Sequence, residues 1–165
     1  MRKILDIVAL AALIVLLWIT YSALYASEPL PARIPIHFNI FGQPDYWGPP
    51  TLLIVFPGLA LIMYLLITLV SRYSRSFKYP FRVTSKDRPK AEGIALDMLC
   101  WLRAEAICLM TWVQFATIGS ARNAASGIPP NLPGNLLQIS LSVLVATLGW
   151  HLIAMRRVSL RSQSE

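Results

Sequence analysis

Charge is what this chain has least of: aspartate, glutamate, lysine and arginine make up 14% of its 165 residues, where a soluble domain carries about a quarter. Hydrophobic residues supply 56% and mean hydropathy is +0.56, which excludes an ordinary water-soluble domain and points to a bilayer as solvent. Histidine is scarce too, with His37 and His151 the two in the chain. No His-Glu-x-x-His pair, Gly-x-Ser-x-Gly elbow or phosphate-binding glycine loop occurs, so metalloprotease, serine-hydrolase and nucleotide chemistry lack their residues. Neither an enzyme nor a cofactor is expected. The two cysteines, Cys100 and Cys108, are separated by two helical turns, about 12 Å, which is beyond disulfide reach.

What the chain does have is apolar runs of bilayer length, about 20 residues each. They fall at 4–25, 51–70, 94–118 and 135–155. The expected fold class is an all-α integral membrane protein, residues 1–165 forming one domain of four transmembrane helices. Arg2 and Lys3 before the first run resemble the start of a signal peptide. The run is longer than a usual signal core, however, and cleavage after Ala26 would put Leu24 where a small residue is needed. An uncleaved helix is expected.

The net charge of +7 is distributed unevenly. The link at 71–93 contains Arg72, Arg75, Lys78, Arg82, Lys86, Arg88 and Lys90; the N-terminus adds Arg2 and Lys3, and the tail Arg156, Arg157 and Arg161. Arg33 and Arg122 fall on the opposite side. The positive-inside rule then places both termini and the basic link in the cytoplasm, in a multi-pass bacterial inner-membrane arrangement. No basic stripe interleaved with aromatics is present, so nucleic acid is not an expected partner. Thr84 and Asp87 are spaced as a capping box with Pro89 in the first turn, which predicts a third helix beginning near Lys86, before the membrane. Pro57-Gly58 predicts a kink in the second helix.

The segment 27–50 is different in kind. Pro29, Pro31, Pro35, Pro44, Pro49 and Pro50 exclude a long helix, and Ile34, Ile36 and Phe38 alternate with Pro35, His37 and Asn39 in the manner of an extended strand. Asn39 to Gly42 supplies turn chemistry, and Tyr46-Trp47 favours the membrane interface. A structured proline-rich extracellular loop is expected. His37 and Asp45, with Asn39 as a weaker third ligand, offer imidazole and carboxylate to a divalent ion, a poor set for a closed site. Alternatively His37 donates to a backbone carbonyl, Asn39 closes an Asx-type turn, and Asp45 caps or pairs with Arg33. A third reading makes the loop a peptide site using the faces of Tyr46 and Trp47.

The pattern Leu30-Pro31, Ile34-Pro35, His37-Phe38-Asn39, Gly42, Pro44-Asp45, Trp47-Gly48 resembles the signature of the bacterial membrane domain of unknown function 1648, the N-terminal part of SdpI-like bacteriocin-immunity proteins. The resemblance covers roughly the first seventy residues. Pro49-Pro50 stands where that family often has a small residue and lysine, and the immunity proteins continue into a second multi-span region. What the resemblance implies is immunity or sensing: an outer loop that binds or blocks an extracellular peptide toxin, and a basic cytoplasmic loop that engages a repressor.

Inside the third run lie Asp97, Arg103, Glu105 and Gln114, and ionisable residues at depth are costly enough to suggest a role. Counting inward from an outer end near Ile118, Asp97 falls at the cytoplasmic interface and Arg103 about a turn deeper. Glu105 and His151 come to comparable depth, and Asp6 begins the first helix on the same side. A polar cluster of Glu105, His151 and Arg103 with Asp6 at its edge is therefore expected, either pinning the helices or serving a proton or ion path. Arg103 and Glu105, two apart, must find partners on different helices. The alternative function is a small transporter or transporter subunit, a homo-oligomer because four helices enclose little room.

Overall fold

The computed structural model describes residues 1–39, 41–74, 79, 83–131 and 134–163. Arg75, Lys78 and Arg82 of the basic link lie outside the described residues, as does the side chain of Arg161. Helices α1 (Arg2–Leu24), α2 (Val55–Arg72), α3 (Arg88–Ala125) and α4 (Gly134–Gln163) are joined, between α1 and α2, by strands β1 (Ile34–Phe38) and β2 (Pro44–Gly48) and a 3-10 turn at Pro50–Ile54. Three segments, Arg2–Leu24, Pro50–Arg72 and Gln138–Leu160, are long and apolar enough to cross a membrane. The helix α3 is not among them, because it contains Asp97, Arg103, Glu105 and Gln114.

Its position explains that composition. Helix α3 packs against α1, α2 and α4, whereas α4 rests on α3 with no comparable interface to the other two. The most polar helix is thus the central one, and its apolar neighbours cover it. In lipid there is no hydrophobic drive to bring helices together, so small residues that permit close approach matter more. Ala9 of α1, Ala60 of α2, and Ala104 and Ile107 of α3 form one buried cluster with Leu5, Leu13 and Leu16. On α1 the buried positions Leu5, Ala9, Leu13, Leu16, Thr20 and Ala23 recur every three or four residues, as one helical face requires. Its other faces, including Ile7, Ile14 and Trp18, are exposed.

The 38-residue α3 would measure about 57 Å at 1.5 Å per residue, well beyond a hydrocarbon core of about 30 Å. It starts at Arg88 with Asp87 as N-cap and Pro89 in the first turn, where proline's missing N–H costs nothing. As N-cap, Asp87 makes no side-chain cap bond; its carboxylate accepts from Thr84 Oγ1 at 3.4 Å and, more closely, from Lys90 Nζ at 3.0 Å. That bond, together with neighbouring positive charge, holds the Asp87 carboxyl below the usual carboxylate range. At the far end Gly127, with φ of 74°, lets the chain reverse. Gly127 N–H donates to Ala124 C=O at 3.2 Å and Ile128 N–H to Asn123 C=O at 2.9 Å, a Schellman closure of the helix.

The proline-rich segment is more than a loop on an all-α fold. Strands β1 and β2 pair antiparallel with Ile34 opposite Gly48, Pro35 opposite Trp47 and His37 opposite Tyr46. Irregularities on either side of His37 follow from prolines, which remove ladder donors. Ile34 is buried with Ala23, Leu53, Ile118 and Ala121, so the hairpin is fastened to the ends of α1 and α3. A Cβ at Gly48 would stand 2.7 Å from Ile36 Cδ1 and 2.9 Å from Leu52 Cδ1; glycine is what lets the hairpin lie this close to the 3-10 turn.

Pro57 acts at the start of α2 and not as a mid-helix kink. The 3-10 turn gives way to α-helix at Val55, placing Pro57 in the first turn. The amide that would close the α-helical bond to Leu53 C=O belongs to residue 57, and proline has none. Gln114 of α3 supplies the donor: its Nε2 donates to Leu53 C=O at 2.8 Å and to Thr20 Oγ1 at 2.9 Å. Thr20 Oγ1 passes its own proton to Leu16 C=O at 2.7 Å. An unmet buried acceptor costs about 1–3 kcal/mol, so Gln114→Leu should lower stability in detergent by about that amount. Adding Pro57→Ala should restore part of the loss, and thermal unfolding of both single variants and the double variant measures the coupling. Equal effects of Pro57→Ala in both backgrounds would contradict the link.

Candidate functional site

Two sets of polar residues lie at opposite ends of the bundle. At the hairpin end, Asn39 closes the turn. Its Oδ1 accepts from the amides of Phe41 at 2.9 Å and Gln43 at 3.0 Å, and Asn39 N–H donates to Gln43 C=O at 2.8 Å. This is the Asx-type turn of the structural reading, and it commits Asn39 to the backbone. Gly42 completes it with a φ of 77°.

His37 and Asp45 pair with each other. His37 Nδ1 lies 2.5 Å from Asp45 Oδ1, so with the carboxylate accepting, Nδ1 is the protonated nitrogen. The expectations that His37 would bond a backbone carbonyl and Asp45 would meet Arg33 are replaced by this cross-strand contact. The register provides the reason, since strand pairing sets His37 beside the Asp45-Tyr46 edge. Both side chains remain open to solvent, at 68% and 45% exposure. Among the described residues no group of three or more metal-ligating side chains occurs. Tyr46 and Phe41 are exposed at 65% and 72%, whereas Trp47 is half-buried.

At the other end the expected cluster divides in two. Arg103, almost wholly buried, pairs through Nη2 with Asp6 of α1. Its Nη1 donates to Thr68 Oγ1 of α2 at 2.8 Å, and its guanidinium lies over the Tyr64 ring at 4.8 Å. This contact ties α1, α2 and α3 at one level. Beside it Arg2 bridges α1 to α3, donating to Asp97 Oδ1 at 2.6 Å and Gly93 C=O at 2.9 Å. Glu105 points away, because two residues turn a helix by about 200°. Its Oε1 accepts from Thr147 Oγ1 of α4 at 2.6 Å, and His151 Nδ1 lies 2.7 Å from Thr147 C=O. Glu105 and His151 therefore meet through Thr147, separate from Arg103 and Asp6. Glu105 Oε2 is buried with no hydrogen-bond partner.

Threonine is the residue type that sequence reasoning passed over. Thr20, Thr68, Thr111 and Thr147 sit on α1, α2, α3 and α4. Each bonds across to another helix: Thr111 Oγ1, for example, lies 3.0 Å from Ala12 C=O. A lone threonine within an apolar run is a readable signal for such a contact. Gln114 was visible in the sequence, but its role depends on the proline at position 57.

The fold so described is that of a multi-pass membrane protein. Residues 8–61 match the family model of the Domain of unknown function (DUF1648). The match takes in most of α1, the whole hairpin and the start of α2. Asp6, Arg103, Glu105 and His151 all lie outside it. No curated protein and no solved structure matches the chain.

The geometry makes the two ends separable by mutation. Asp6→Asn leaves the Arg103 guanidinium without its countercharge and should cost about 1–3 kcal/mol of stability, read as a lower melting temperature, with the hairpin unaffected. Asn39→Ala should speed hydrogen exchange at the Phe41 and Gln43 amides while leaving α3 amides unchanged.

Proposed function

We propose that the protein is a bacterial inner-membrane binding protein of the immunity or sensor type, whose hairpin meets an amphipathic peptide at the outer face. The observation that supports this reading is a hairpin, fastened to the helix ends through Ile34, that presents Phe41 and Tyr46 beside the His37–Asp45 pair. Exposed aromatics fixed on a scaffold bind apolar side chains at small entropic cost, and the solvent-open His37–Asp45 hydrogen bond offers polar atoms to a polar partner group. The same hairpin lies in the segment that matches the family, whose resemblance to SdpI-like proteins suggests the class of ligand.

In this reading all four helices span the bilayer and both termini are cytoplasmic. The basic residues support that orientation. Arg2 meets Gly93 and Asp97, and Ser74 donates to Glu92 at 2.5 Å, which brings the N-terminus, the end of α2 and the start of α3 to one end. That positively charged end is the surface for a cytoplasmic partner such as a repressor.

Cells expressing the protein should survive a membrane-active bacteriocin-type peptide at concentrations at least tenfold above control cells. Phe41→Ser with Tyr46→Ser should remove that protection while leaving expression and melting temperature unchanged. Protection that survives both substitutions, or is absent in the wild type, would contradict the reading.

A further inference from the structure

The seam between α1 and α3 is open along one flank, where three hollows follow one another toward the hairpin end. The innermost, about 340 Å³, lies between Val15 and Ile19 of α1 and Cys108, Trp112 and Phe115 of α3. The next, about 220 Å³, shares Ile19 and Phe115 with it and ends at Gly119 and Arg122. The outermost, about 500 Å³, shares Arg122 and is walled by Ser27, Glu28, Pro29 and Ser126. Neither α2 nor α4 contributes to any of the three. The middle hollow is open down to the backbone, since a Cβ at Gly119 would meet nothing within 4 Å.

This groove changes character along its length. The inner hollow carries no charged side chain, and Thr111 there turns its hydroxyl to the Ile107 and Ala12 carbonyls. The outer one carries two charges, Arg122 and Glu28, and among the described residues neither side chain has a hydrogen bond or ion pair. From Cys108 to Arg122 the helix rises about 21 Å at 1.5 Å per residue, somewhat more than the roughly 15 Å of one hydrocarbon leaflet. An apolar trough of leaflet depth therefore leads to a cation and an anion at headgroup level.

We propose that the groove holds one phospholipid of the outer leaflet, with an acyl chain between α1 and α3 and a zwitterionic phosphoethanolamine headgroup in the outer cavity. Arg122 meets the phosphate, which suits the forked donors of a guanidinium, and Glu28 meets the ammonium. A purely anionic headgroup would set a like charge beside Glu28, and an uncharged one would leave both charges unanswered. A small polar solute would leave the inner hollow empty. The proposal rests on the reading that α3 crosses the bilayer with its hairpin end outward. It does not rest on peptide binding, since neither Phe41 nor Tyr46 lines the groove.

Native mass spectrometry of the full chain in detergent, titrated with dioleoylphosphatidylethanolamine, tests the proposal without reference to membrane orientation. One lipid should add saturably, at least fivefold more tightly than dioleoylphosphatidylglycerol or dioleoylglycerol. Gly119→Leu, which fills the groove, and Arg122→Gln should each weaken that binding at least fivefold. Glu28→Gln should abolish the preference over phosphatidylglycerol. Equal binding of diacylglycerol, equal affinity in Gly119→Leu or Arg122→Gln, or displacement by glycerophosphoethanolamine as effective as by the whole lipid would each overturn the proposal. So would equal or tighter binding of phosphatidylglycerol, which would leave Glu28 without a role. The wild-type lipid series keeps the test decisive if a variant fails to fold.

Discussion

A polar side chain carried into an apolar layer must find its partner on another helix, and this constraint organises the whole molecule. Helix α3 bears Arg103, Glu105, Thr111 and Gln114 within its length, and each bonds to a neighbouring element. Arg103 reaches α1 and α2, Thr111 the backbone of α1, Gln114 the entry to α2, and Glu105 reaches α4. Because lipid tails solvate leucine as well as leucine does, these contacts and the small residues between them specify the arrangement that a hydrophobic core would specify in water. The least apolar helix is consequently the axis, and the three helices apolar enough to cross a membrane alone surround it.

The same constraint fixes the hairpin. Gln114 supplies the donor that Pro57 withholds from Leu53, and Leu53 packs with Ile34 of β1 and Ile118 of α3. A proline at the start of α2, a glutamine on α3 and an isoleucine in the strand thus form one connected support. Through it the geometry of the outer end depends on a contact buried beneath it. The matched family segment, residues 8–61, includes Leu53 and Pro57 but ends long before Gln114, so in this chain the support for the hairpin comes partly from outside that segment.

Much of this was legible in the sequence, and the parts that were not share a cause. Long apolar runs, the extended stretch at Ile34 to Phe38 and the turn at Asn39 follow from local composition and periodicity. The divergence of Arg103 and Glu105 follows from helical geometry alone. Hidden were the relations between distant segments: that β2 would pair with β1, that His37 would face Asp45 rather than a carbonyl, and that Thr147 would stand between Glu105 and His151. Each depends on where two elements meet, which no local pattern encodes. The helix α3 was harder still, since the residues that lower its hydropathy are the ones that make it central.

Whether α3 crosses the bilayer decides the rest, because a chain with three spans would leave its two termini on opposite sides. Fusing green fluorescent protein or alkaline phosphatase to the C-terminus of the full chain reads that directly in bacterial cells. Four spans with a cytoplasmic N-terminus predict a fluorescent fusion and an inactive phosphatase. An active phosphatase with a dark fluorescent protein would contradict a membrane-spanning α3.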